Sequence, residues 1–208
     1  MRIIGLIFMA LIAVSPAQAF KKVKIIEPIA ADIIAKSHIV ETRVILNENT
    51  KAVFVKLEEK AAAKRAKAGL SPVDPGATPT ARPKPDDYAT LPISQMFPLV
   101  VDDEAQDWGL TSGRAIKLTV EFDTLKTADA GMAMLMGSYD ELAGLVDVSD
   151  AATGERLGEF YIDVIRFRSG LVGLAMRGSG VRENLALGFS QRIIEQLVGS
   201  RKKPEKKV

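Results

Sequence analysis

The chain has 208 residues, 47% of them hydrophobic, with 28 basic and 26 acidic side chains, one histidine and no cysteine. That suffices for one domain of ordinary size plus tails, and it excludes disulfide scaffolds, thiol catalysis, cysteine metal sites and a lipid-bearing cysteine. A formal net charge of +2 with no broad basic stripe also argues against a nucleic-acid partner.

Residues 1–19 have the form of an export signal. Arg2 supplies the positive start, Ile3 to Val14 form an apolar run broken only by Gly5, and Ser15-Pro16-Ala17-Gln18-Ala19 ends it with small residues at an Ala-x-Ala position. A run of twelve residues is shorter than the roughly 18 a spanning helix needs. Cleavage after Ala19 would leave Phe20 as the amino terminus and the chain in the periplasm. The processed chain carries 27 basic and 26 acidic residues, but its last eight, Arg201 to Val208, hold five basic and one acidic. The body is therefore mildly acidic, and residues 201–208 read as a disordered basic tail.

Val23 to Ile26 and His38 to Leu46 are rich in β-branched residues and predict short strands, with a helical turn from Ile29 to Lys36 between them. From Asn49, the residues Phe54, Leu57, Ala61 and Ala68 recur at helical spacing opposite Lys56, Lys60, Lys64 and Lys67, which predicts an amphipathic helix stopped by Gly69. Residues 71–92 contain six prolines and read as an exposed, flexible loop.

Ala115 to Asp123 alternates apolar and polar residues and predicts a strand with one core face. Leu142 to Ser149 and Arg156 to Arg166 flank Asp150-Ala151-Ala152-Thr153-Gly154 and predict a β-hairpin, Gly154 supplying the positive φ its loop needs. A closing helix follows, with Val181, Leu185, Phe189, Ile193 and Leu197 every four residues, Ser179 as its starting cap and Gly199 at its end. These elements specify one α+β domain over residues 20–200: two layers, a mostly antiparallel sheet, and helices on at least one face.

Chemistry-bearing patterns are sparse. His38, the single histidine, has no local partner pattern and reads as a surface or packing residue. Asp102, Asp103, Glu104 and Asp107 lack the alternating spacing of a calcium loop and read as a solvated acidic turn. Met132, Met134 and Met136 alternate as soft ligands for monovalent copper would, but with no histidine or cysteine beside them they read as gap-filling thioethers. The glycines at 170, 173, 178 and 180 match no dinucleotide or Walker motif. Arg177, Gly178, Ser179, Gly180 and Arg182 nonetheless bracket a helix start whose free N–H groups can receive an anion. The lysine face of the first helix and the basic tail are suited to weak contact with an anionic membrane surface.

The words Leu142-Ala143-Gly144, Asp150 to Phe160, Gly170-Leu171-Val172-Gly173-Leu174-Ala175 and Arg182-Glu183-Asn184-Leu185-Ala186 resemble small exported bacterial families of unknown function, many of them lipoproteins. The resemblance covers about Arg114 to Val198 and implies a compact α/β domain and a Gram-negative envelope location. It transfers no active site, and this chain departs from it in having no lipid-bearing cysteine. The expectation is a non-catalytic interaction or accessory protein of the envelope, without cofactor, whose partner is another envelope protein. Two alternatives stand beside it. One is a small-ligand-binding domain with its pocket between the sheet and the proline-rich segment. The other is a small hydrolase using Asp123, Asp140 or Asp163, which needs two of them converging with one pKa raised by burial.

Overall fold

The computed structural model describes residues 21–30, 32–33, 36–77, 81–128, 138–168 and 180–199. The export signal, the Met132, Met134 and Met136 set, the glycines at 170 and 173 and the basic tail lie outside them. Strand β1 (Lys21–Glu27) is followed by β2 (Ser37–Leu46), helix α1 (Glu48–Lys67), a short 3-10 helix (Pro85–Thr90) and α2 (Ile93–Asp107). The chain then runs through β3 (Arg114–Lys126), β4 (Ser138–Asp150), β5 (Arg156–Arg168) and α3 (Val181–Val198). The result is the expected α+β architecture, with a five-stranded sheet in the order β1-β5-β4-β3-β2.

Strands β3, β4 and β5 form an antiparallel meander because their links are short. β1 adds antiparallel to β5, whereas β2 lies parallel to β3. That parallel pair follows from the two helices inserted between its strands, the kind of crossover a parallel neighbour requires.

β3 shows how the pattern works and where it changes. Ile116, Leu118, Val120 and Phe122 are all fully buried, as the period of two demands. A register shift between Phe122 and Thr124 then inserts an extra residue. Leu125 turns inward in its place, so the strand continues to Lys126 and outruns its simple alternation. The core gathers on this one face. Phe122 meets Phe97 of α2 edge-on at 5.1 Å and Phe189 of α3 edge-on at 5.1 Å, with Phe54 of α1 at 5.9 Å. One strand residue thus contacts all three helices in a geometry favourable to aromatic rings.

α1 begins on Asn47, whose side chain accepts from Asn49 N at 2.9 Å, and ends where Gly69 takes φ 69°. Phe54 and Ala61 are buried as expected, while Ala68 at the far end is exposed.

Two corrections concern the middle of the chain. The proline-rich segment is not simply an open loop. It contains the 3-10 helix, buries Tyr88 and Leu91, and is held by Gln95 Nε2, which donates to Asp74 O at 2.7 Å and to Ala77 O at 2.8 Å. The acidic residues after it are not a turn but part of α2, a helix the sequence pattern did not predict, with Asp102, Asp103 and Asp107 half-exposed and Glu104 buried. Its inner stripe is Ile93, Met96, Phe97, Val101 and Ala105. Pro98 inside it removes one backbone donor and hides the helical period.

The hairpin matches expectation in detail. Asp150 Oδ1 accepts from Ala152 N and Thr153 N, each at 2.8 Å, and Gly154 takes φ 74°. α3 is capped by Gly180, at φ 87°, in place of the expected Ser179, which is outside the described residues. Leu185, Phe189, Ile193 and Leu197 are fully buried, and Gly199 ends the helix.

Candidate functional site

The expected anion site can be judged at Gly180 and Arg182; Arg177, Gly178 and Ser179 lie outside the described residues. Arg182 is 4% exposed, and its guanidinium is already engaged. Nη1 donates to Glu58 Oε1 at 3.1 Å, and Nη2 donates to Glu183 Oε1 at 3.2 Å and Ala89 O at 3.3 Å. Glu183 folds back over the first turn, where a Cβ added to Gly180 would stand 1.9 Å from its Oε2. The positive end of α3 therefore faces a carboxylate of its own helix. Arg182 acts as a structural junction of α1, the 3-10 helix and α3, and its charge is spent within the protein.

Glu58 extends that junction to α2. Pro92 precedes α2 and offers no side-chain cap, and Glu58 Oε1 accepts from Ile93 N at 3.0 Å in its stead. Burial pushes the Glu58 carboxyl above its ordinary range, and Arg182 and the Ile93 amide offset this only in part.

The other acidic candidates are likewise engaged. Arg82 pairs with both Asp102 and Asp103, Gln106 Nε2 donates to Asp102 at 3.0 Å, and Trp108 Nε1 donates to Glu104 at 3.0 Å. Among the described residues no three histidine or carboxylate side chains come together as a metal would require. His38 Nδ1 donates to Gly113 O at 3.0 Å, a packing role that links β2 to the turn before β3.

The three carboxylates of the hydrolase alternative are divided by the sheet. Asp140 is fully buried and accepts from Ala128 N at 2.8 Å. It alternates with Ala143 and Glu141 and belongs to the helix side. Asp123 and Asp163 belong to the opposite face, on β3 and β5, with β4 between them. Two strand spacings separate their backbones by about 9.5 Å. Tyr161 bridges toward Asp123, its hydroxyl donating to Oδ1 at 3.0 Å. Burial raises the Tyr161 phenol to about 12, with Asp123 adding to the effect. Asp163 is pushed upward by burial and by Glu141, against the pull of Lys22 and Lys126. Its Oδ1 is buried without a hydrogen-bond partner among the described residues.

Among the described residues, three hollows open near α1. One, of about 440 Å³, lies beside the start of α3 and is lined by Lys60, Lys64, Thr127 and Arg182. The other two, each of about 520 Å³, flank the proline-rich segment and share Arg65, Leu70, Pro72 and Val73. The first of this pair is walled by Val55, Ala62 and Ala66 of α1 with Pro75 and Pro92; the second adds Asp74, Lys84 and Gln95. An apolar hollow thus exists at the proline-rich segment, but against α1 and not against the sheet. The aromatic core fills the space between sheet and helices. No local pattern marks Arg65, because its part in both hollows depends on how the proline-rich segment folds back. None of the three hollows is lined by Asp123, Asp140 or Asp163.

No helix among the described residues is long and apolar enough to cross a membrane. No protein-family model and no curated protein matches the chain. Among solved structures it is similar to a DUF330-family protein from Xanthomonas campestris, at 12% identity and a TM-score of 0.47, over 83% of this chain and 91% of that one. It is also similar to the PelC dodecamer from Paraburkholderia phytofirmans, at 8% identity and a TM-score of 0.42, over 88% of this chain and 100% of that one.

Proposed function

We propose that the chain, exported and processed to begin at Phe20, is a non-catalytic interaction module of the bacterial cell envelope whose partner is another envelope protein. The observation that carries this reading is the one-sided sheet. Among the described residues all three helices pack on the face of Ile116, Leu118, Val120 and Phe122. The opposite face alternates Lys117, Thr119 and Glu121 on β3 with Leu145 and Asp147 on β4 and Tyr161 and Asp163 on β5. Leu145, Tyr161 and Ile165 are only partly buried there. Such a face, with Leu145, Tyr161 and Ile165 set among the charged Glu141, Asp147 and Asp163, mixes apolar and polar area as a non-obligate protein interface does. The strand spacings between the backbones of Asp123 and Asp163, with Asp140 on the other side of the sheet, support the non-catalytic part, since a carboxylate pair must converge to share acid and base roles.

The test is site-specific photocrosslinking in envelope fractions. A probe at Leu145 is expected to give a discrete adduct with one envelope protein, and a probe at Leu187 on the exposed side of α3 is expected to give none. Equal labelling from both positions, or recovery of the chain with Met1 intact in a cytosolic fraction, would overturn the proposal.

A further inference from the structure

We infer that two copies of this chain pair along the outer edge of β2, antiparallel about a two-fold axis at Thr42, to make one continuous sheet with five strands from each copy. This edge is separate from the open face of the interaction proposed above, and each stands or falls alone. β2 is hydrogen-bonded to β3 on one side, and among the described residues no strand lies on the other. An edge of that kind presents unpaired N–H and C=O groups, which a second strand can satisfy. Val40, Glu41, Arg43 and Ile45 are exposed along it, Val40 at 50% and Ile45 at 37%.

Charge complementarity chooses both the partner and the register. Opposite residues of an antiparallel pair share a face of the sheet. Glu41 and Arg43 lie on the open face, beside Lys117 and Thr119 of β3. A two-fold axis at Thr42 sets Glu41 against the partner's Arg43 and Arg43 against the partner's Glu41. Thr42 then meets the partner's Thr42, a favourable cross-strand pair. Moving the axis by one residue opposes like charges, two carboxylates at Glu41 or two guanidinium groups at Arg43. Arg43 has no ion-pair partner among the described residues. Glu41 meets Lys117 through Oε2 at 3.0 Å, which leaves Oε1 open to a second cation. The register of β2 with β3 shifts between Ile39 and Glu41, so Val40 is the extra residue of a bulge. That bulge limits the new pairing to Glu41, Thr42 and Arg43 with their flanking valines, Val44 coming beside the partner's Val40.

The opposite edge of the sheet excludes the same arrangement. β1 pairs only with β5 and carries Lys22 and Lys24 on the open face, beside Asp163 and Tyr161. Pairing β1 with its own copy about Val23 would set Lys22 against Lys24, and pairing about Lys24 would set that lysine against itself. β2 instead carries one charge of each sign two residues apart, the self-complementary pattern an isologous interface needs.

Sedimentation velocity of the mature chain at about 10 to 500 μM tests this, a range suited to a small, transient interface. A dimer is expected to grow in as concentration rises. Arg43→Glu and Glu41→Arg should each weaken it at least about tenfold, because both cross-strand pairs become like-charged. Mixing those two variants should restore a dimer of parent strength, and so should both substitutions in one chain. Unchanged urea unfolding midpoints show that the variants remain folded. The chain has no cysteine, so Thr42→Cys introduces a single thiol that meets its own copy at the axis. Oxidation should cross-link that variant and leave Leu187→Cys, on the exposed side of α3, as monomer. A monomer throughout the concentration range, a dimer indifferent to the single reversals or not rescued by mixing them, or equal cross-linking from the two cysteines would overturn the edge pairing. None of these outcomes alters the adduct expected from Leu145.

Discussion

Arg182 Nη1 and Glu58 Oε1, 124 positions apart in sequence, meet at 3.1 Å and tie the last helix to the first. Arg182 is buried and also bonded to Glu183, while Glu58 simultaneously holds Ile93 N. Removing one member of a buried charged set leaves its partners uncompensated, at about 3 kcal/mol. Arg182→Ala and Glu58→Ala should each cost about that much in urea unfolding. The double variant should cost less than their sum by at least about 1 kcal/mol. Strictly additive losses would mean that the two residues act separately.

Asp150 is the hub of the hairpin turn. Its Oδ2 accepts from Arg114 Nε at 2.6 Å while Oδ1 takes the amides of Ala152 and Thr153. The Arg114 bond, followed by the turn amides, holds its carboxyl well below the ordinary value of 3.8. Stability from this group is therefore complete above pH 3.8 and is lost as pH falls through the depressed folded value. Asp150→Asn is expected to be less stable at neutral pH and to lose less further stability on acidification. Parallel acid-limb slopes for parent and variant in pH-dependent unfolding would refute this.

That turn was legible in sequence because an Asp-x-x-Thr-Gly word carries its own hydrogen-bond partners and needs nothing distant. β3 and α3 were legible for a similar reason: one residue period runs through each core face, from Ile116 to Phe122 and from Leu185 to Leu197. α2 was hidden because Pro92 and Pro98 mimic loop punctuation, and its starting cap comes from Glu58 on another helix. The parallel pairing of β2 with β3 was equally hidden, since it depends on where two helices return the chain. Of the candidate anion residues, Arg182 has Glu58 and Ala89 as partners, on segments far along the chain that its local sequence could not show. Arg65 escaped notice because Ser71 and Thr90 reach it only after the proline-rich segment has folded back.

Asp163 offers a test of the open sheet face. Its carboxyl is raised above 3.8, chiefly by burial, so the folded protein holds the proton longer than the unfolded chain does. Stability contributed by this group is unaffected below pH 3.8 and falls as pH rises from there through the raised folded value. Asp163→Asn removes that fall. Urea midpoints should coincide for parent and variant at pH 3.5 and favour the variant at pH 7. A less stable variant at neutral pH would mean that attraction to Lys22 and Lys126 outweighs the cost of burial.

Gly113 and Gly154 both take positive φ, at 104° and 74°, but their surroundings differ. A Cβ at Gly154 meets nothing within 4 Å, whereas one at Gly113 would stand 1.9 Å from Lys36 O. That carbonyl accepts from Arg114 N at 2.8 Å, and Gly113 O accepts from His38. The glycine therefore sits where β2 and β3 begin their parallel pairing. Gly154→Ala should cost only the left-handed penalty, about 1–2 kcal/mol. Gly113→Ala adds a backbone collision that no side-chain movement can relieve, and it should lower the thermal midpoint at least about twice as far. Amide exchange should quicken selectively along β2 in the folded variant, because the displaced carbonyl belongs to the residue before that strand. Equal midpoints for the two alanine variants, with β2 protection intact, would show that this close approach does not set the parallel register.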